Sequence, residues 1–139
     1  MSSDAGESAD SGRELRRRVD ARADSLIYAR GVLTEWAAHV GMPQDQRDDL
    51  VLAAYEAMAN AAEHAYRGQG GVIELHARRT ADEVIVTVAD HGVWRPPPDE
   101  KGIRGRGLLL IEGLSHRSTV MPGDKGTTVV MTWTAPPAN

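Results

Sequence analysis

Apolar residues recur every three or four positions in two segments of the chain, and this spacing predicts two helices. In SLIYARGVLTEWAAHV the pattern stops at Gly41, and Pro43 follows just beyond it, as is common after a helix end. A second helix is predicted from about Gln44 to Tyr66, where a glycine-rich stretch follows. At about 100° per residue, one arc of this helix is expected to pack on a sheet: Val51, Tyr55, Met58, Ala62 and Tyr66.

Alternation of apolar and polar residues predicts strands in the second half. GVIELHARR and EVIVTVAD predict a hairpin of Val72–Arg79 and Glu83–Ala89, and HRSTVM and TTVVMTW predict another around the turn PGDKG. Between them, the Gly- and Pro-rich loop DHGVWRPPPDEKGIRGRG leads into a short helix that begins near Arg106. The predicted class is α+β: a two-layer sandwich with helices on one face of a mixed, largely antiparallel sheet.

The N-terminal residues divide into two parts by composition. Residues 1–15 are predicted to be a disordered polar tail, and the folded domain is expected to span residues 16–137. The basic segment RELRRRVDAR lies at this boundary. It is predicted to form a solvated face of a first strand or helix, and the alternative is a patch that docks an acidic partner.

Composition narrows the functional classes. The length of 139 residues suits one domain, and with no Phe its core must rest on aliphatic residues, Met and Ala. The formal charge of −4 argues against broad affinity for nucleic acid or an anionic membrane. The absence of cysteine excludes disulfides and fits a reducing cytoplasm. Because no apolar run approaches the roughly 20 residues of a membrane span and no signal-peptide core is present, a cytoplasmic protein is expected.

The stretch EAMANAAEHAY places three polar residues four positions apart, Glu56, Asn60 and His64, so that a helix stacks them in one stripe. By spacing alone this stripe and Glu63 face away from the sheet, and a solvent-facing stripe is the plain interpretation. Asn60 weakens that interpretation, because asparagine is poor in a helix interior. Its side-chain oxygen makes better sense if it binds a ligand.

Three further segments are candidates for a ligand site. Asp90 and Gly92 follow a strand and fit either a simple turn or a carboxylate that accepts a hydrogen bond from an exocyclic amine. The loop GIRGRG feeds a helix N-terminus and fits either a flexible connection or a phosphate site. It is not a P-loop, because no Gly-Lys-Ser/Thr follows, and it is not a dinucleotide fingerprint, because Leu110 breaks the glycine pattern and no βαβ unit surrounds it. Thr127 and Thr128 begin the last strand in GTTVVMTW.

Taken in order, these segments resemble the Bergerat ATP-binding fold, and most of all the anti-sigma-factor serine/threonine kinases. EAMANAAEHAY resembles the N box of that family, VADHGVWRPP its first glycine box, GRGLLLI its second and GTTVVMTW its third. The resemblance covers about residues 16–135. Two departures are visible: Trp94 stands where a second glycine is common, and His116 where many relatives have Asp.

The resemblance implies a role for each matching residue. Glu56 would be the general base, and Asn60 would hold Mg²⁺ against the phosphates of ATP. Asp90 would bind the adenine amino group, with Gly92 beneath the ring. Thr127 or Thr128 would close the adenine end. The nucleotide phosphates would be surrounded by a further group of residues: Gly105, Arg106, Gly107 and Leu108.

The resemblance also implies an activity and partners. The protein would sequester a sigma factor of RNA polymerase and phosphorylate a Ser or Thr of a STAS-domain anti-anti-sigma factor, with Mg-ATP as the phosphate donor. A homodimer is expected from the family. Three alternatives stay open: a binding module without catalysis, the kinase domain of a larger signalling protein, and a detached histidine-kinase ATPase domain. The last is disfavoured because no histidine-bearing dimerisation helix precedes the domain, and a role for His64 as phosphoacceptor is not expected.

Overall fold

The computed structural model describes residues 13–67, 69–92 and 109–135. Two helices follow a first strand: α1 spans Ala23–His39 and α2 spans Gln44–Asn60. A π-helical turn, Ala61–Ala65, continues α2 without a break. The second predicted helix is therefore confirmed in extent, but its last turn is π-helical rather than α-helical.

The described residues form five strands: β1 Glu14–Asp20, β2 Val72–Arg79, β3 Glu83–Asp90, β4 Arg117–Gly123 and β5 Gly126–Thr134. These strands make one antiparallel sheet in the order β1-β2-β3-β5-β4. Both predicted hairpins are confirmed, although the second has a tighter turn at residues 124–125 because Pro122 and Gly123 still pair with β5. The α+β class with an antiparallel sheet is likewise confirmed.

The basic segment before α1 is the edge strand β1. The strand begins at Glu14, before the boundary predicted at residue 16, because Leu15 and Val19 point into the core. The predicted tail was therefore too long by about two residues, and residues 1–12 lie outside the described part. Arg16 and Arg18 are exposed on β1, in agreement with a solvated basic face.

The face of α2 that packs on the sheet differs from the predicted arc. The fully buried residues are mainly small: Leu50, Ala53, Ala54, Ala57, Met58 and Ala61. From the predicted arc only Met58 is fully buried, whereas Val51, Tyr55, Ala62 and Tyr66 pack at its margin. The prediction was displaced by roughly 100° around the helix because it treated alanine as a helix former rather than as a packing residue. Alanine lets the helix approach the sheet closely, and this brings the polar stripe to the edge of the core.

The last described helical segment, residues 109–114, packs against β5. Ile111 is buried, and the Trp133 indole of β5 donates a hydrogen bond to the Leu114 carbonyl at 2.9 Å. The predicted start of this helix near Arg106 lies outside the described residues. None of the helices in the described ranges is both long and apolar enough to cross a membrane.

Candidate functional site

The polar stripe of α2 lies at the edge of the core instead of facing solvent. Asn60, the last α-helical residue before the π-helical turn, is only 9% exposed, and Glu56 is partly buried. The solvent-facing interpretation is therefore wrong for Asn60. The His64 side chain is also mostly buried, at 12% exposure, whereas Glu63 is exposed and lies 3.9 Å from the His64 imidazole.

The side chains of Asn60 and Glu56 make no polar contacts that stabilise the fold within the described residues. Within the part of the chain that the structure describes, the Asn60 amide makes no hydrogen bond and the Glu56 carboxylate makes neither a hydrogen bond nor an ion pair. Among the described residues, the fully buried side-chain polar atoms without a hydrogen-bond partner are Trp36 Nε1 and Gln46 Oε1, so the Asn60 amide is largely shielded but keeps some contact with solvent. Such a group fits a ligand, and an amide oxygen is a hard donor of the kind that Mg²⁺ takes.

Asp90 occupies the end of β3 and is 5% exposed. Its Oδ1 accepts hydrogen bonds from the backbone N–H of Gly92 at 3.1 Å and of Thr127 at 3.2 Å. The carboxylate is therefore fixed by the turn that follows its own strand and by the start of β5. This arrangement fits a carboxylate held in one orientation to recognise a hydrogen-bond donor such as an exocyclic amine.

Gly92 is required by contact with the π-helical turn. A Cβ at this position would lie 2.4 Å from the Ala65 carbonyl oxygen, so a side chain cannot be accommodated. The predicted place of Gly92 beneath an adenine ring is one reason for a glycine, and this backbone contact is a second that needs no ligand. The contact brings the Asp90–Gly92 segment against the C-terminal end of the helix that carries Asn60.

The start of β5 approaches the end of β3 just as closely. Gly126 has φ +144°, and a Cβ there would lie 1.9 Å from the Asp90 carbonyl oxygen. Thr127 is buried with its N–H on Asp90, whereas Thr128 pairs with Ala89 and is half-buried. Of the two threonines proposed for the adenine end, Thr127 is thus the one bonded to Asp90.

Tyr66 is a further member of this site, although helical spacing predicts it in the arc that packs on the sheet. Its hydroxyl donates a hydrogen bond to the Val72 carbonyl and accepts one from the His91 N–H, both at 2.7 Å. Tyr66 ends the motif EAMANAAEHAY, but helical spacing alone predicts no partner for its hydroxyl.

Two other predicted features stand apart from this group. The predicted phosphate-binding residues Gly105, Arg106, Gly107 and Leu108, like Trp94, lie outside the described residues. His116 sits at the far end of β5, where its backbone N–H bonds to the Thr132 carbonyl and its Nδ1 accepts a hydrogen bond from the Thr134 N–H at 2.8 Å. His116 therefore has a structural contact that extends the pairing of β4 with β5.

Comparison with known proteins relates this arrangement to a family of kinases. The family model of the histidine kinase-like ATPase domain matches residues 19–133. The serine-protein kinase RsbW of Bacillus mycoides is 27% identical over 134 residues, a match that covers 86% of this chain and 83% of the relative. The serine-protein kinase RsbW of Staphylococcus aureus (strain MRSA252) is also 27% identical, over 85% of this chain and 84% of that protein.

Solved structures share the fold. The crystal structure of the RsbU and RsbW domains of Rv1364c from Mycobacterium tuberculosis superposes with a TM-score of 0.71 and 27% identity. The match covers 91% of this chain and 34% of that chain, so this protein spans about a third of its length. The structure of the SiaB-SiaC complex from Pseudomonas aeruginosa gives a TM-score of 0.64 over 91% of this chain and 93% of that one, but at 13% identity the likeness concerns the fold alone.

These comparisons confirm the predicted resemblance to ATP-binding kinases. The relatives bear the name of serine-protein kinases, in agreement with the predicted class of enzyme. The matched residues 19–133 include the polar stripe of α2, the Asp90–Gly92 segment and the start of β5. The chain belongs to the family of histidine kinase-like ATPase domains.

Proposed function

We propose that this protein is an ATP-dependent serine/threonine protein kinase that also acts as an anti-sigma factor. The observation that carries the proposal is Asn60, a nearly buried amide without a hydrogen-bond partner in the described part of the chain. It ends the α-helical part of the element whose next turn contacts the Asp90–Gly92 segment. A carboxylate, an amide and a fixed aspartate at one end of the sheet suit a magnesium nucleotide.

In this proposal Asp90 and its neighbours bind the base of ATP. The Asp90 carboxylate accepts a hydrogen bond from the adenine amino group, and its orientation is supported by the N–H groups of Gly92 and Thr127. Thr127 or Thr128 closes the adenine end. The phosphates are assigned to Gly105, Arg106, Gly107 and Leu108 on the strength of the sequence resemblance.

Asn60 and Glu56 serve the phosphate end. The amide oxygen of Asn60 would hold Mg²⁺, which supplies charge neutralisation to the phosphates of ATP. Glu56 lies one turn earlier on α2 and accepts the proton of the attacking Ser or Thr hydroxyl. The hydroxyl oxygen bonds to the γ-phosphorus, the bond from that phosphorus to the β–γ bridging oxygen breaks, and ADP leaves.

The proposed partners follow from the sequence resemblance to the anti-sigma-factor kinases. The hydroxyl belongs to a STAS-domain anti-anti-sigma factor, and the protein sequesters a sigma factor until that antagonist replaces it. We place the protein in the cytoplasm and expect a homodimer. A sigma factor retained with ATP and released with the unphosphorylated antagonist, in a pulldown analysed by mass spectrometry, tests this part separately.

The kinase activity is tested by Glu56→Gln, which keeps the size of the side chain and removes the base. We expect transfer of label from [γ-³²P]ATP to the cognate STAS-domain protein to fall about 10²–10⁴-fold, the usual contribution of a general base. The dissociation constant of ADP should change less than about threefold, because Glu56 acts on the hydroxyl.

Glu63→Gln is the matched control, since Glu63 lies on the same helical element and is exposed. It should transfer phosphate at the wild-type rate. Equal activity of Glu56→Gln and the wild-type protein would reject the assigned base. Nucleotide binding with no transfer by the wild-type protein would instead select the binding module without catalysis.

A further inference from the structure

Tyr66 joins three parts of the molecule that meet at the proposed adenine-binding site. The residue follows the π-helical turn, its hydroxyl donates to the carbonyl of Val72 at the start of β2, and the same oxygen accepts from the N–H of His91 after β3. Its ring lies against Gly71, where a Cβ would come within 2.4 Å of the ring. Ring and hydroxyl together therefore fix where the chain leaves β3.

His91 lies between the two residues of the proposed adenine site, Asp90 and Gly92. Asp90 is held by the N–H of Thr127, and Gly92 is held against the carbonyl of Ala65. The Tyr66 hydroxyl supplies the hydrogen bond to the residue between them. The N–H of Gly92, the residue after His91, donates to the Asp90 carboxylate, so release of His91 would displace one of the two donors that orient this carboxylate.

The π-helical turn explains why Tyr66 reaches this position. Its backbone N–H bonds to the Ala61 carbonyl, five residues earlier, at 3.1 Å. A π-helical turn holds one more residue than an α-helical turn, so it changes the direction of the side chain that follows it. The π-helical turn lies between Asn60, the proposed metal ligand, and Tyr66, which contacts the proposed adenine-binding site. One short segment therefore links the metal site to the adenine site.

We infer that Tyr66 is a positioning residue for base recognition: its hydroxyl holds His91 so that the Asp90 carboxylate keeps the orientation that selects adenine. The inference rests on the proposed function, in which Asp90 accepts a hydrogen bond from the adenine amino group. Tyr66 itself contacts the protein backbone and not the base.

Tyr66→Phe tests this inference, because it removes the hydroxyl and keeps the ring on Gly71. The measurement is the dissociation constant of ATP and of inosine triphosphate, which carries a carbonyl in place of the adenine amino group. The wild-type protein should prefer ATP. In Tyr66→Phe this preference should fall about three- to tenfold, the effect expected when one hydrogen bond that orders the site is lost.

Tyr55→Phe is the matched control. Tyr55 lies on α2, and its hydroxyl makes no hydrogen bond within the described residues, while its ring contacts the Arg30 guanidinium. Loss of this hydroxyl should leave the preference for ATP unchanged. A purely structural role of Tyr66 would weaken both nucleotides equally and leave their ratio at the wild-type value, which would overturn the inference.

The outcomes separate the inference from the function on which it rests. A wild-type protein that binds both nucleotides equally contradicts adenine recognition by Asp90, and with it both proposals. A wild-type preference that persists in Tyr66→Phe contradicts the inference alone. If the variant does not fold, the measurement is hydrogen exchange of the His91 amide in the wild-type protein. Protection that increases more with ATP than with inosine triphosphate supports the inference. Exchange at the rate of an unprotected amide rejects it.

Discussion

The two ends of the sheet differ in whether their shielded polar side chains are hydrogen-bonded within the protein. At one end, which we call the hairpin end, β2 leads into β3 through residues 80–82. Arg79 is buried there, and its guanidinium donates to the carbonyls of Thr80 and Val40. The Thr80 hydroxyl and N–H bond to Glu83, and the Ala135 N–H bonds to the Asp82 carbonyl. These polar groups all serve the fold.

At the other end, which we call the site end, β3 ends at Asp90 and β5 begins at Gly126. The backbone approaches here are so close that two glycines cannot carry a Cβ, and yet the amide of Asn60, a residue only 9% exposed, makes no hydrogen bond to a described residue. Tight backbone packing beside an unpaired polar side chain is typical of a region that is held rigid for a ligand. The contrast with Arg79 supports the candidate site, and it rests on Asn60 together with the close backbone contacts, since Trp36 Nε1 and Gln46 Oε1 are also buried without a hydrogen-bond partner among the described residues.

The largest effect on stability is expected for Gly126→Ala at the site end. A Cβ would lie 1.9 Å from the Asp90 carbonyl oxygen, and the φ of +144° is strained for any other residue. Overpacking and backbone strain together should lower the free energy of unfolding by about 2–5 kcal/mol, measured by urea denaturation. Gly31→Ala is the control, because Gly31 lies in α1 with open space around it, and should raise stability by about 0.5–1 kcal/mol. A loss below about 0.5 kcal/mol for Gly126→Ala would show that the site end is not rigid.

The strands and helices were predictable because apolar periodicity has a direct physical cause, the burial of one face. The helical face that packs on the sheet was not, since a row of alanines such as Ala53, Ala57 and Ala61 looks neutral in sequence but is the line of closest contact. The sequence does not distinguish a strand from a helix at β1, because Arg16, Arg17 and Arg18 interrupt the alternation of apolar and polar residues.

The order of the motifs predicts four site residues: Glu56, Asn60, Asp90 and Gly92. Of these, Asn60, Asp90 and Gly92 lie on or beside the contacts between α2, β3 and β5. Tyr66 and the Gly92 contact with Ala65 could not be predicted, because both depend on a π-helical turn that breaks the 3.6-residue repeat.

Removal of one polar side chain at each end of the sheet should change the free energy of unfolding by a smaller amount, and the sign should differ between the two ends. Asn60→Ala removes an unpaired amide and improves helix propensity, so we expect stability to rise by about 0.5–1 kcal/mol. Arg79→Met removes the hydrogen bonds to Thr80 and Val40, among other contacts of the guanidinium, and should lower stability by about 1–3 kcal/mol.

Nucleotide binding should separate the same pair of variants in the reverse order. Asn60→Ala should weaken Mg²⁺-dependent ATP binding about tenfold or more, whereas Arg79→Met should leave the dissociation constant of ATP unchanged, as measured by titration calorimetry. If Asn60→Ala destabilises the protein and binds Mg-ATP normally, Asn60 belongs to the fold in the same way as Arg79, and the contrast between the two ends is lost.

The smallest effect concerns an ion pair at the sheet edge, away from the site end. The Glu14 carboxylate lies 2.5 Å from the His76 imidazole and 3.0 Å from the Arg16 guanidinium. The hydrogen bond to His76, with the charge of Arg16, holds the pKa of Glu14 below its usual value. Because this pKa is lower in the folded than in the unfolded protein, the stabilisation is present above the unfolded pKa of about 4.3 and is lost as the pH falls through the folded pKa.

Glu14→Gln should therefore flatten the acid side of the stability profile, with a smaller difference in the free energy of unfolding between neutral pH and pH 3 than in the wild-type protein. Exposed ion pairs contribute little, so the change should be the smallest of those considered. Glu35→Gln is the control, since the Glu35 carboxylate is exposed on α1 and has no ion pair with a described residue. ATP binding should be the same in both variants. A change in ATP affinity in Glu14→Gln would mean that the edge strand is coupled to the site end, and that the rigid contacts around Asp90 extend across the whole sheet.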